Sequence, residues 1–363
     1  MDKKRLLIFH PTIAPYRVDF FNALYHAFET RICLQYKNLR NQKFDYTKIS
    51  SRFEFEPIYL QKNSTISLCK WVWNQIKIYQ PDTVLTCEYG LVTLFALLVK
   101  WFTRNNFKLV VMTDDSYDML VGGNEISIRH RIARRFITSH ADDFVVVEPR
   151  VEQWYQKKYG KGVCFPIIVA EATATTNYER IMPISCRLAE RYNLVGKRVL
   201  LSVSRLVKLK NLHRVIDAFA IAKTDAVFVI VGDGPQREAL ENYAKQFDKR
   251  IIFTGRFEGD ELYAWYNLAN VFILGSYLEP FGAVTNEALL AGCRVVVSKK
   301  AGSSCLVSDV NGNLIDPMVV EEIASAIDRQ MQLSSVSDLT NTKKSLMIVS
   351  FDERIDNLVK RIQ

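Results

Sequence analysis

Two glutamates, Glu279 and Glu287, stand eight positions apart in the stretch EPFGAVTNEALLAG. The first lies in a Pro/Gly turn, and the second in what reads as the opening turns of a helix. Acidic residues often start helices, so capping chemistry alone would account for the pair. Their neighbours point further: Phe281, Gly282, Ala283 and Val284 can present free backbone N–H groups at a helix N-terminus, an arrangement that attracts anions. Two carboxylates beside an anion repel it unless they accept hydrogen bonds from hydroxyls that adjoin it. A sugar nucleotide offers both, a diphosphate flanked by a ribose diol and a sugar ring.

Two more segments carry candidate groups. In SVSRLVKLKN, Arg205 and Lys210 are five apart, a planar fork and a point charge that together suit a phosphate or diphosphate. A basic loop on a basic protein is the plain alternative, and Lys208 between them reads as a solvent-facing side chain. In VGDGP, Gly232, Asp233 and Gly234 permit a tight turn with close backbone approach, and Pro235 opens the helix behind it. An ordinary strand-to-helix turn needs no more than that. No GxGxxG fingerprint follows any strand, which disfavours a classical dinucleotide dehydrogenase. The histidines (10, 26, 130, 140 and 213) show no metal-ligand spacing, and neither a metal nor another cofactor is expected.

Each candidate loop follows an apolar run. RVLLSVSR leads to Arg205, AVFVIVG to Gly232 and VFILGS to Glu279, and RIIFTG is a further strand of the same series. Helical periodicity covers about 211–223, 235–246 and 260–268 and resumes from about 284; RVVVSK and a helix near 319–331 complete the series. The first half alternates in the same way. Its strands RLLIFH, ICLQYK, FEFEPIYL, DTVLTC, KLVVMT and DFVVVE are separated by helical stretches that include 68–79, LVTLFALLVKWF and the basic ISIRHRIARRFITSHA. The pattern weakens over 161–190. Two βαβ series predict an α/β protein with two Rossmann-like domains, 1–170 and 171–350, and a helix over about 351–363 that returns to the first. Open α/β sheets bind ligands at the carboxyl ends of their strands, so a cleft between the two sheets is the expected site.

Taken in order, SRLxxxKN at Arg205 and Lys210, GDGP, and the E-x7-E from Glu279 to Glu287 followed by ALLAGCRVVVSKKAG resemble the retaining glycosyltransferases of glycosyltransferase family 4, which have the GT-B fold. The similarity is strong over about 196–317 and diffuse over the first half. It implies that Arg205 and Lys210 neutralise the donor diphosphate and the leaving nucleoside diphosphate. Glu279 would contact hydroxyls of the transferred sugar, and the Pro280–Ala283 turn would hold that sugar and the phosphate. Glu287 would accept from the ribose, and Arg256 and Phe257 would lie against the base. Catalysis would need no metal, with Arg, Lys and a helix dipole in its place.

The first half departs from the family pattern. Where many relatives have a glycine-rich loop, this chain has HPTIAPYRVDFF; Pro15, Tyr16 and Arg17 would line the cleft or acceptor pocket there, or form only a Pro-stiffened turn. Where many members have a histidine, DDSYD follows KLVVMT, so Asp114 or Asp115 would orient the sugar or the acceptor hydroxyl, or merely cap a helix. The resemblance implies transfer of a sugar, with retention, to a hydroxyl of a glycan or lipid-linked glycan, in surface polysaccharide or lipopolysaccharide synthesis. A GT-B-fold sugar-nucleotide epimerase and a non-catalytic sugar-nucleotide or polyanion-binding protein remain as alternatives.

Composition bounds these readings. At 363 residues, 48% hydrophobic and 24% charged, the chain is globular and long enough for two cores. The net charge of +9 is uneven: residues 1–175 carry +7 and the remainder +2. A basic half suggests an anionic partner, and with no nucleic-acid-binding motif, nucleic acid is not expected. The helix bearing Arg129, Arg131, Arg134 and Arg135 either rests on anionic lipid headgroups, with Trp71, Trp73, Trp101 and Phe102 as anchors, or shows a solvated face. LVTLFALLVKWF is too short for a span, which needs about 20 residues. Scattered cysteines and no signal-peptide pattern make the cytoplasm the expected location, and the basic helix, in its lipid-facing reading, would hold the protein peripherally on the inner face of the plasma membrane.

Overall fold

Apolar runs of four to six residues form most strands of two parallel sheets, one in each of two units of the computed structural model. The structure describes residues 3–38, 45–61, 64–103, 106–122, 127–247 and 250–363, except the side chain of Arg129. Unit one comprises Met1–Ile168 with Asp352–Gln363, and unit two Val169–Phe351.

In chain order, unit one runs β1 (Arg5–His10), α1 (Val18–Ala27), β2 (Glu29–Leu34), α2 (Tyr46–Ser50), β3 (Ile58–Tyr59), α3 (Thr65–Tyr79), β4 (Thr83–Cys87) and α4 (Leu91–Thr103). It continues through β5 (Lys108–Thr113), α5 (Tyr117–Gly122), α6 (Ile128–His140), β6 (Asp143–Val146), α7 (Pro149–Tyr159) and β7 (Val163–Cys164). The sheet order is β3-β2-β1-β4-β5-β6-β7. Successive strands therefore step outward in one direction from β1 to β3 and in the other from β4, leaving a topological switch point between β1 and β4. The strands are buried on both faces, as a parallel sheet covered by helices requires; Leu7, Phe9, Val84, Leu109, Val111 and Phe144 lie in one core.

Unit two begins with α8 (Glu171–Arg180) and α9 (Met182–Arg191) and continues β8 (Val199–Val203), α10 (Leu212–Ile221), β9 (Val227–Val231), α11 (Arg237–Ala244), β10 (Ile251–Gly255) and α12 (Gly259–Leu268). It ends β11 (Val271–Leu274), α13 (Val284–Leu290), β12 (Arg294–Ser298), β13 (Gly312–Ile315) and α14 (Val320–Gln332). The order β10-β9-β8-β11-β12-β13 sets its switch point between β8 and β11.

α15 (Phe351–Ile362) belongs to unit one. Ile355, Leu358 and Ile362 recur at helical spacing and are buried. Arg361 Nε sits 2.6 Å from Asp143 Oδ2, and Thr83 Oγ1 donates to the Ile362 carbonyl at 3.0 Å. Both Thr83 and Asp143 begin strands, so α15 closes the amino end of this sheet.

Three segments differ from the sequence expectation. FEFEPIYL yields only the two-residue β3: Pro57 has no N–H, Phe53 and Phe55 stack at 5.0 Å, and only Ile58 and Tyr59 pair with β2. The weak stretch 161–190 contains α8 and α9. Threonine-rich EATATTNYER has poor intrinsic helicity, but packing decides: Tyr178 and Ala189 are buried, and α9 lies along α12. NGNLI forms β13, where Gly312 passes so close to Val295 that a Cβ would lie 2.3 Å from its carbonyl oxygen.

Candidate active site

In unit two the candidate residues gather where strands β8, β9, β10 and β11 end. Arg205 and Lys210 lie in the loop after β8, and Glu279 in the loop after β11, so they flank the switch point. Lys210 Nζ and Glu279 form an ion pair, both side chains largely covered. Arg205 is exposed. The loops after β8 and β9 are locked together: Leu206 N–H donates to Asp233 O at 2.9 Å, and Gln236 N–H to Leu206 O at 3.1 Å. Gly232, at φ +145°, and Gly234 make this approach possible, since a Cβ on Gly232 would lie 1.8 Å from Ser204 O. The Gly232 N–H is spent on Gly255 O (2.8 Å) and the Gly234 N–H on Asp233 Oδ1 (2.7 Å). These glycines thus set the shape of the Arg205 loop.

The EPFG loop is held from below by the turn Gly302–Leu306. Gly302 N–H donates to Glu279 O at 3.1 Å and Ser303 N–H to Phe281 O at 2.7 Å, while Thr285 and Ser303 hydroxyls meet at 2.9 Å. The Glu279 and Phe281 carbonyls are consumed there. Among the described residues, the N–H groups of Phe281, Gly282, Ala283 and Val284 donate to no backbone carbonyl. Phe281 buries its ring and contributes backbone alone, and Pro280 is exposed. α13 is only seven residues long, so the amides of the loop matter more than a macrodipole. Ser204 Oγ, Asn211 Oδ1 and Ser276 Oγ are buried after β8 and β11 without partners among the described residues, polar atoms that a ligand or water would satisfy.

Glu287 lies in the first turns of α13, where Tyr266 donates its hydroxyl to Oε2 at 2.9 Å. Burial pushes the Glu287 carboxyl up to about 7, and the Tyr266 hydrogen bond opposes the rise. An acceptor for a diol suits this position, because a diol satisfies the carboxylate that burial strips of water. Arg256 is exposed and pairs with Glu258, and Phe257 leans on Trp265 with ring centroids 6.0 Å apart.

Unit one has its own cluster at the carboxyl ends of β1, β4 and β5. Pro15–Arg17 form a short 3-10 turn in which Pro15 and Tyr16 are partly exposed. Arg17 is 4% exposed; its Nη2 sits 2.7 Å from Asp114 Oδ1, while Nη1 is buried without a partner among the described residues. Asp114 and Asp115 part company: Asp114 is half exposed beside Arg17, and Asp115 is buried and accepts from the Tyr89 hydroxyl at 2.7 Å. Sequence reasoning missed two members. Glu88, at φ +61° after β4, accepts from Asp114 N–H at 3.1 Å, and its carboxyl is pushed up to about 7 by burial, aided by the charges of Asp115 and Asp114. His10 ends β1 and is held down to about 4 by burial and by Arg17, so its ring is neutral at pH 7. Both flank the switch point between β1 and β4, a signal visible once strand order is known.

The α6 arginines lie on the helical face of unit one, where Arg131 and Arg135 are exposed and Arg134 is half-buried; the first turn of the helix reaches this cluster through His130, whose ring meets Tyr89 at 5.4 Å. The side chain of Arg129 falls outside the described residues.

The family model described as "Glycosyl transferases group 1" matches residues 189–344. An uncharacterized glycosyltransferase of Methanocaldococcus jannaschii is 35% identical over 138 residues, 37% of this chain and 35% of that protein. The GDP-mannose-dependent alpha-(1-6)-phosphatidylinositol monomannoside mannosyltransferase of Mycolicibacterium smegmatis is 26% identical over 255 residues, 67% of this chain and 66% of that one. The chain thus spans between about a third and two thirds of the length of these curated relatives. Among solved structures, Anabaena HepE in complex with UDP and glucose superposes with a TM-score of 0.72 at 16% identity, covering 99% of both chains. At that identity the likeness concerns the fold, two parallel α/β sheets of seven and six strands as in GT-B glycosyltransferase structures.

Proposed function

The chain belongs to the glycosyl transferases group 1, and from that premise we propose that it moves a sugar from a nucleoside-diphosphate sugar to a hydroxyl of a glycan or lipid-linked glycan, with retention of configuration. One observation carries the reading: the Lys210–Glu279 pair stands at the switch point of unit two beside four backbone N–H groups that have no backbone carbonyl acceptor among the described residues. Those amides, with Arg205 and Lys210, receive the diphosphate. As the bond between the anomeric carbon and the phosphate oxygen breaks, they stabilise the charge that develops on the leaving group. Glu279 takes hydroxyls of the transferred sugar, with Lys210 lowering the repulsion between that carboxylate and the phosphates. Glu287 takes the ribose diol, and Phe257 with Arg256 borders the base.

The acceptor hydroxyl attacks from the face that the diphosphate leaves, its proton passing to the departing phosphate oxygen. In unit one, Asp114 is the accessible member of its pair and orients the sugar or acceptor hydroxyl, with Arg17 and the Pro15–Tyr16 turn beside it; Asp115 supports from beneath. The names of two relatives favour this class of donor and acceptor, one using GDP-mannose on a phosphatidylinositol mannoside and one holding UDP and glucose. Surface polysaccharide or lipopolysaccharide assembly, on the inner face of a membrane, is the setting that such an acceptor implies.

A screen of UDP-, GDP- and dTDP-sugars for donor hydrolysis, and then for transfer, tests the proposal. Release of the nucleoside diphosphate from one donor class is expected, with activity retained in chelator. A new epimer from donor alone would identify an epimerase instead, and turnover of no donor would leave only a binding protein.

A further inference from the structure

Helices α3, α4 and α6 pack next to one another on unit one, α3 against α4 and α4 against α6. Trp101 of α4 meets Phe136 of α6 at 5.8 Å and His140 at 5.0 Å. Their sequences, TISLCKWVWNQIKIY, LVTLFALLVKWFT and IRHRIARRFITSH, contain no aspartate or glutamate. Lys70 and Lys77 on α3 and Arg131 and Arg135 on α6 are exposed cations. Lys100 is committed to Asp142 and stands apart from them.

Between these cations, many outward positions of the three helices are apolar where a solvated helix would carry polar side chains. On α4, Val92, Ala96, Leu97 and Val99 face the core, and Leu91, Leu98, Trp101 and Phe102 face out, Phe102 80% exposed. On α6 the outward stripe is Ile128, Ile132 and Phe136, the first two 67% and 64% exposed. Ile66 and Trp73 extend it across α3, where a groove of about 310 Å³ runs between α3 and α4. Trp71 does not take part; it packs inward on Phe9, with centroids 5.3 Å apart.

We propose that this three-helix face docks on the surface of an anionic lipid bilayer, its aliphatic and aromatic side chains entering the headgroup boundary while Lys70, Lys77, Arg131 and Arg135 meet lipid phosphates. Charge selects this occupant. A second copy of the same face would set cations against cations, and a nucleic acid would leave the outward Ile, Leu and Phe side chains unused. A lipid interface uses both classes at once. α4 has thirteen residues, about 20 Å of helix, too short to cross a hydrocarbon core of about 30 Å, so the face lies along the surface. The inference deepens the function proposed above, to which it adds the means of reaching a lipid-linked acceptor, yet its test needs no sugar transfer.

The experiment is co-sedimentation of the full chain with phosphatidylcholine vesicles, with and without phosphatidylglycerol, at low and physiological salt. Binding should be at least about tenfold tighter to the anionic vesicles and should weaken with salt. The pairs Trp101→Ser with Phe102→Ser, and Arg131→Ser with Arg135→Ser, should each lower vesicle affinity by about tenfold or more with melting temperature and donor hydrolysis unchanged. Equal affinity for both vesicle types, or binding that survives both pairs of substitutions, would overturn the proposal. So would self-association without vesicle binding, or preference for an RNA homopolymer over vesicles. A chain that binds anionic vesicles yet turns over no donor would refute the transferase and uphold this docking face.

Discussion

At the scale of single residues, Lys210 and Glu287 make separable predictions. Lys210→Ala removes a cation from the developing diphosphate and should lower kcat for transfer by about 10²–10³-fold, read in a steady-state assay of nucleotide release. An unimpaired variant would sink the mechanism. Glu287 bears on stability. Its carboxyl titrates at about 7 in the folded chain against 4.5 ordinarily, so between those values the folded state holds more protons than the unfolded one. Stability without ligand should therefore fall as pH rises through that window. Glu287→Gln should flatten this slope, stabilising the protein above pH 7 by no more than about 3 kcal/mol. Thermal melts of both chains across pH test it, and parallel slopes would remove Glu287 from the account. Glu279, Glu287 and Lys210 were legible in the sequence because their spacing lies within one local strand-loop-helix pattern each. Glu88 and His10 were not, because TCEYG and IFHP acquire meaning only when β1 and β4 become neighbours, although 70 residues or more separate them.

At the scale of elements, the EPFG loop depends on a residue outside its own motif. A Cβ on Gly302 would lie 2.2 Å from Pro280 O, so Gly302→Ala must push that loop off its clamp. Overpacking of this kind costs about 1–3 kcal/mol. Donor affinity should fall by about tenfold or more in calorimetric titration, while amide exchange in unit one stays unchanged; wild-type affinity would show that the loop does not hold the donor. The strands preceding the site were readable because a doubly covered parallel sheet demands continuous apolar runs. The elements that escaped are those whose signal is not local. α8 and α9 are held by packing on α12 and α13 despite weak propensity, and the alternation in FEFEPIYL comes from two stacked phenylalanines in an extended segment, with Pro57 ending any longer ladder.

At the scale of the whole molecule, α15 ties the far end of the sequence to the first sheet. Burial of Ile355, Leu358 and Ile362 is worth about 1.5–3 kcal/mol each before the entropy of ordering the helix. Deleting 351–363 should raise amide exchange in β4, β5 and β6 and leave β8, β9 and β11 as they were, in a hydrogen-exchange experiment resolved by peptide. Equal loosening of both sheets would contradict the assignment of α15 to unit one. The same connectivity imposes an order on synthesis. Residues 1–168 leave the ribosome with the seat of α15 bare, and about 180 residues of unit two must follow before that helix is made. At roughly 5–20 residues per second the wait is about ten to forty seconds. Unit two, continuous in sequence, is whole on emergence, so the half that begins first is the half that finishes folding last.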